Sequence, residues 1–140
     1  MRIHAHGLAV DLPAGWDGRI SRRAAAYPVM HAASFRLPAE DGDFAVAAIQ
    51  AMPADGVVVA LVEYAPELAG SGLFEPQGFP QSLTDADFHP SAMLRRRPGH
   101  RGVQRFFTDA GRPFCLYAVL GPDATAAQAN SLVAAVALSP

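Results

Sequence analysis

Two stretches of this chain are apolar at consecutive positions instead of every second one: Val57-Val58-Val59-Ala60-Leu61-Val62 and Phe114-Cys115-Leu116-Tyr117-Ala118-Val119-Leu120. Successive side chains of a strand point to opposite faces, so a strand with no polar face belongs at the centre of a sheet covered on both sides. Both runs are far shorter than the roughly 18 apolar residues of a membrane span. The rest of the chain must therefore supply two covering layers. At 140 residues it has the length for one such domain and little room for a second, so residues 1–140 are read as a single domain.

The second run is one arm of a hairpin, because residues 102–109 and 113–120 flank the turn sequence Asp109-Ala110-Gly111-Arg112. Residues 6–12 alternate as a half-buried strand, with Leu8, Val10 and Leu12 on one side and Gly7, Ala9 and Asp11 on the other. Pro13-Ala14-Gly15 then turns the chain ahead of Trp16, a ring expected to close one end of the core. Strands are also predicted over 17–23 and 29–37, the latter with Val29, His31, Ala33 and Phe35 on one side. Residues 44–52 are Ala-rich and follow Asp41 and Asp43, which suit a helix cap. A short helix with Phe44, Ala48, Ile49 and Met52 on its apolar face is predicted there. A C-terminal helix over about 123–135, striped by Ala124, Ala127, Leu132 and Val136, precedes a short last strand at 136–138. Together these elements give an α+β fold: a twisted, mainly antiparallel sheet flanked by a short helix and a C-terminal helix.

Residues 65–100 fit no regular element. They hold Pro66, Pro76, Pro80, Pro90 and Pro98 with Gly70, Gly72, Gly78 and Gly99, which limits them to turns. Connections beyond about 12–15 residues are uncommon in compact domains and are often binding or covering loops. This one also carries Leu73, Phe74, Phe79, Leu83, Phe88, Met93 and Leu94, too many apolar groups to stay in water. It is expected to pack across a sheet face or edge, with the remainder open to a partner.

Charge comes in blocks. Residues 1–39 carry five arginines against Asp11 and Asp17; residues 40–94 carry nine acids and no base; residues 95–112 carry six arginines against Asp109. Such blocks either neutralise each other within the fold or face outward as patches that select partners, and neutralisation is expected to dominate. All eleven cations are arginine, which excludes lysine Schiff-base chemistry. The sharpest local feature is Arg95-Arg96-Arg97-Pro98-Gly99-His100-Arg101, whose forked donors suit a carboxylate or phosphate. A nucleic-acid binder is not indicated, given a net charge of −2, the nine-acid block and no aromatic residues interleaved with the arginines.

Catalytic constellations are missing. His4-x-His6 would place two imidazoles on one strand face, but no acid or histidine cluster stands nearby to complete a metal site, and no metal or cofactor is expected. The single Cys115 sits inside an apolar strand, where a thiol is a small buried hydrophobe with a raised pKa and not a nucleophile. A lone cysteine also forms no intrachain disulfide, and Met1-Arg2-Ile3-His4-Ala5-His6 lacks the apolar core of a signal peptide, so a cytoplasmic location is expected.

The opening Gly7-Leu8-Ala9-Val10-Asp11-Leu12-Pro13-Ala14-Gly15-Trp16 resembles the start of the PsbP and Mog1-like superfamily, in which an amphipathic strand leads into Pro-x-Gly-Trp and a second strand. Gly111-Arg112-Pro113-Phe114-Cys115-Leu116-Tyr117 is similar to a segment of small actinobacterial proteins. The superfamily resemblance implies an antiparallel sheet with flanking helices and non-enzymatic work: assembly factors, adaptors and secretion chaperones. The leading expectation is therefore a non-catalytic binding or adaptor domain that recognises a protein partner. Its contact surface is placed on the long connection, with Phe74, Phe79 and Phe88 as anchors beside Arg95, Arg96 and Arg97, because interface energy concentrates in aromatic and arginine groups. The alternative is a carrier or sensor of a small anionic ligand gripped by residues 95–101, and an enzyme ranks last. Open sheet edges also leave a homodimer as an expected option.

Overall fold

The computed structural model describes residues 1–22 and 26–139, so the end of the strand predicted over 17–23 falls outside the described residues at Arg23. Among the described residues eight strands form two antiparallel sheets. β1 (Arg2–Ala5), β2 (Leu8–Asp11) and β8 (Val136–Leu138) make the smaller one, in the order β1-β2-β8. The larger contains β3 (Asp17–Ser21), β4 (Val29–Ala33), β5 (Val57–Glu63), β6 (Arg101–Asp109) and β7 (Arg112–Leu120), in the order β3-β4-β5-β7-β6. Helix α1 covers Val46–Ala51 and α2 covers Ala126–Ala134. The α+β class read from the sequence is the class observed, and the two all-apolar strands, β5 and β7, are paired with each other inside the sheet.

Strand alternation divides the large sheet into two faces. On the first, Met30, Ala32, Val59, Leu61, Val103, Phe107, Phe114, Leu116 and Ala118 pack against Leu8, Val10 and Leu12 of the small sheet and against α2. Trp16 is partly buried against this cluster, as its position beside the Pro-x-Gly turn predicts. On the second face, Ala33, Val58, Ala60, Tyr117 and Val119 pack under α1 through Ala48, Ile49 and Met52. Each fully buried large apolar side chain contributes roughly 1.5–3 kcal/mol, so both faces add substantially to stability.

Several boundaries differ from the sequence reading. The strand predicted over 6–12 is instead the second arm of a hairpin: Ala5 pairs with Leu8, leaving His6-Gly7 as a two-residue turn with φ of 52° and 80°. Two positive φ values define the turn that matches strand twist, and Gly tolerates the second at no steric cost. The same geometry recurs at Ala110-Gly111, between Asp109 and Arg112. The strand predicted over 29–37 stops at Ala33, and Phe35 packs against the second cluster from the following turn. On α2 the buried stripe is Ala126, Ala129, Leu132 and Val133, and Ala127 is exposed. Leu132 of the predicted stripe is buried, as are Ala124 just before the helix and, in part, Val136 just after it, so Ala127 alone is misplaced. The start of α2 is fixed by a capping box of Thr125 and Gln128, and by Asp85, which accepts a bond from the Ala126 amide at 2.9 Å.

The long connection is ordered by four short 3-10 turns, Pro66–Leu68, Gly72–Phe74, Asp85–Asp87 and Pro90–Ala92. It wraps around β6, the outer strand of the large sheet. On the second face Phe74 packs on Phe106, with ring centroids 5.5 Å apart. At the edge, the Gly78 amide donates to the Thr108 carbonyl and the Thr108 amide to Pro76, both at 2.8 Å. The chain then lies on the first face, where Phe79, Leu83 and Phe88 join the core. It returns over the edge at His89, which exchanges two backbone bonds with Gly102, and ends on the second face at Met93. An edge strand exposes a row of unpaired amides and carbonyls, and this wrapping satisfies part of that row.

Candidate functional site

Part of the charge in the two opposed blocks is consumed internally, where Glu63, Asp85 and Asp87 meet three of the six arginines. Arg112 grips Glu63 with two parallel bonds, 2.7 and 3.1 Å, and also reaches the Gly7 carbonyl. Arg105 pairs with Asp87 at 3.3 Å and Arg101 with Asp85 at 3.6 Å, and Arg101 also donates to the carbonyls of Gly121 and Ala124. The Asp87 carboxyl is held below the usual range, chiefly by bonds from the Thr84 backbone and hydroxyl and with help from Arg105. Arg97 turns inward, and its Nη1 donates to Ile49 O at 2.6 Å and to Met52 O at 3.1 Å, satisfying carbonyls at the C-terminus of α1. At the opposite end of α1 the Asp41 carboxylate accepts from the amides of Ala47 and Ala48, both at 2.9 Å. A helix of six residues is too short to hold itself, so this pair of charged side chains positions it.

Within the arginine block, Arg95 and Arg96 are the exception. Both are exposed, and neither has a bonded partner among the described residues. They stand at the rim of a pocket of about 230 Å³ between α1 and the end of the long connection. Its walls are Val46 and Ile49 of α1, Leu94, and Tyr117 of β7 below. Tyr117 is 2% exposed, and its hydroxyl accepts the Leu94 amide at 3.0 Å, tying the arginine loop to the sheet. Burial pushes the Tyr117 hydroxyl above its ordinary pKa, so it stays protonated at neutral pH. Leu94 itself is 53% exposed and offers an apolar surface beside the two guanidinium groups.

The six residues expected to form one contact surface do not come together. Phe79 and Phe88 lie on the first face, where Phe79 packs 4.8 Å from Phe107 and 5.9 Å from Phe114. Phe74 lies on the second, between Tyr64 and Phe106. All three rings are committed to the core, because the connection is wound around the sheet and carries its aromatics inward. Arg97 is committed to α1. Only Arg95 and Arg96 stand free at a surface, and their apolar companions are Val46, Ile49 and Leu94.

Chemistry elsewhere is muted. Cys115 is fully buried, and desolvation pushes its thiol up to about 12. His4 lies in β1 and His6 in the turn after it, so they do not share a strand face. His31 Nε2 donates to the Asp43 carbonyl at 2.8 Å, and His100 Nδ1 donates to Pro98 O at 3.0 Å. Among the described residues no group of three or more His, Cys, Asp or Glu is placed to hold a metal ion, and no helix is long and apolar enough to cross a membrane. No family model matches the chain, and no curated protein and no solved structure is significantly similar to it.

Proposed function

We propose that this chain is a non-catalytic binding domain, an adaptor that recognises an acidic, apolar segment of another protein in the groove between α1 and residues 94–96. The observation that carries this reading is the selective freedom of Arg95 and Arg96 at an apolar pocket, beside four arginines that are all bonded within the fold. Apolar contact at the centre of an interface with arginine at the rim is the usual division between affinity and orientation. The resemblance to the PsbP and Mog1-like proteins supports the same class of work.

Size favours a protein segment over a metabolite. Small-molecule sites generally enclose about 300–1,000 Å³, and this pocket, at about 230 Å³, suits one or two side chains of a longer ligand. A small amphipathic anion held by the same arginines is the competing occupant. The deciding experiment is an array of ten-residue peptides in which leucine count and charge are varied independently, probed with the purified protein. Binding should follow leucine together with Asp or Glu, and should be lost in the R95E/R96E variant. Equal binding of acidic and basic peptides would overturn the reading. A rise in Tm with decanoate that none of the peptides reproduces would move the assignment to the small anion.

A further inference from the structure

We propose that in the pure protein the groove is filled by a second copy of the chain, through the exposed acidic turn at residues 66–75, in a reciprocal two-fold dimer. The proposal rests on the groove reading above and names an occupant for it. Five large apolar side chains are exposed among the described residues, and three of them, Leu68, Leu73 and Leu94, belong to two patches of opposite charge. The first patch is the turn: Leu68 is 43% and Leu73 66% exposed, flanked by exposed Glu67 and Glu75. Neither glutamate side chain has a bonded partner among the described residues, in contrast to Glu63, Asp85 and Asp87. The second patch is the groove, with Leu94 at 53% exposure and the unpaired Arg95 and Arg96. Two leucines between two carboxylates thus match an apolar slot beside two guanidinium groups.

Placement allows both contacts at once. Phe74, inside the turn, packs on Phe106, which pairs across the strands with Cys115, and Tyr117, beneath the groove, pairs with Gln104. Directly opposed residues share a sheet face, as do residues two apart on a strand, so both patches lie over the second face. The turn bonds Thr108 through the Gly70 amide, and the loop leading to the groove bonds Gln104 through the Ala92 carbonyl. Those anchor points are four residues apart on β6, roughly 13 Å along the strand. When complementary patches lie side by side on one face, a two-fold axis in the interface plane, perpendicular to the line joining them, sets each patch against its complement on the other copy. The contact is isologous and closes at two chains. Each half alone is small, and rigid coupling of the two halves lets them reinforce each other. An acidic apolar partner segment would then compete with the turn of the second copy.

Sedimentation velocity on the full chain tests this, using R95E/R96E, E67R/E75R, and an equimolar mixture of the two. The wild-type protein should show a concentration-dependent monomer–dimer equilibrium that weakens with salt. Each variant alone should be monomeric at concentrations where wild type dimerises, because both halves of its interface oppose like charges, with affinity reduced at least about tenfold. The mixture should restore the dimer, since the groove of each variant then meets a turn of opposite charge. Restoration also shows that both variants are folded. A wild-type protein that stays monomeric at about 0.5 mM, a concentration that detects even weak association, would overturn the proposal. So would variants that dimerise like wild type, or a mixture that stays monomeric. If the peptide array shows the acidic-leucine preference while wild type stays monomeric, the groove reading survives and the self-docking falls. If the array shows no preference, both fall.

Discussion

The two faces of the five-stranded sheet are built from the same strands and covered by different means. Over the first face lie a second sheet and the nine-residue α2, and the rings of Phe79, Phe107 and Phe114 pack against each other at 4.8–5.9 Å. Over the second lie a six-residue helix pinned by Asp41 and Arg97, two stretches of the long connection, and a tyrosine hydroxyl holding a loop amide. Neither cover is complete: a hollow of about 650 Å³ lies on the first face between residues 78–82 and α2, lined by no arginine, and the smaller one on the second face carries two arginines without partners among the described residues. The two faces thus differ in the charge left free at their gaps.

The sharpest contrast comes from truncating one side chain on each face. Phe107→Ala should destabilise the protein by about 3–5 kcal/mol in denaturant unfolding, the range for a buried ring lost from a packed core. Tyr117→Phe, beneath the groove, keeps its ring contacts and leaves the Leu94 amide without its acceptor, a loss of about 1 kcal/mol. A loss at Tyr117 equal to that at Phe107 would erase the distinction between the faces.

Alkaline pH acts on the second face through Cys115. Its folded pKa is raised from 9.0 to about 12, because burial disfavours the thiolate. The buried neutral thiol therefore contributes its full stabilisation below about pH 9, and that contribution is lost progressively as pH rises toward 12. Cys115→Ala should make this part of the stability–pH curve less steep, leaving the loss due to Tyr64 and Tyr117, whose hydroxyls burial also pushes up. In the native protein at pH 8, alkylation of the thiol by iodoacetamide should proceed only as fast as the protein opens.

Smaller effects separate the arginines. Arg97→Gln removes charge-assisted bonds to two α1 carbonyls and should lower stability by roughly 1–2 kcal/mol. Arg95→Gln with Arg96→Gln should change stability by less than about 0.5 kcal/mol, as expected for exposed side chains without partners. The three adjacent arginines would then divide into one that builds the groove and two that serve it.

Much of this architecture is legible in the sequence because it follows from local chemistry. The unbroken apolar runs place β5 and β7 inside the sheet, Asp109-Ala110-Gly111-Arg112 marks the hairpin, and the two charge blocks neutralise each other only in part, through Glu63, Asp85 and Asp87. The His6-Gly7 turn is missed because Gly7-Leu8-Ala9-Val10 also fits the alternation of a continuous strand, although His, one of the side chains enriched at positive φ, followed by Gly is the expected turn signal. The site is legible only in part. Arg95 and Arg96 stand out as charge, but Phe74, Phe79 and Phe88 are aromatic in a proline-rich loop whether that loop faces water or wraps a sheet edge. Nothing local separates the two cases. Leu94 and Tyr117 could be noticed only through the need of a buried tyrosine hydroxyl for a partner, and that partner, the Leu94 amide, is 23 residues away.

The most direct test of where recognition occurs is amide chemical-shift mapping of the ¹⁵N-labelled protein during titration with a synthetic peptide of residues 66–76. The shifts should concentrate at Val46, Ile49, Gln50 and residues 94–96, and should vanish in R95Q/R96Q with the rest of the spectrum preserved. Shifts centred on the first face, around Phe79 and Val133, or persisting without the two arginines, would contradict the account.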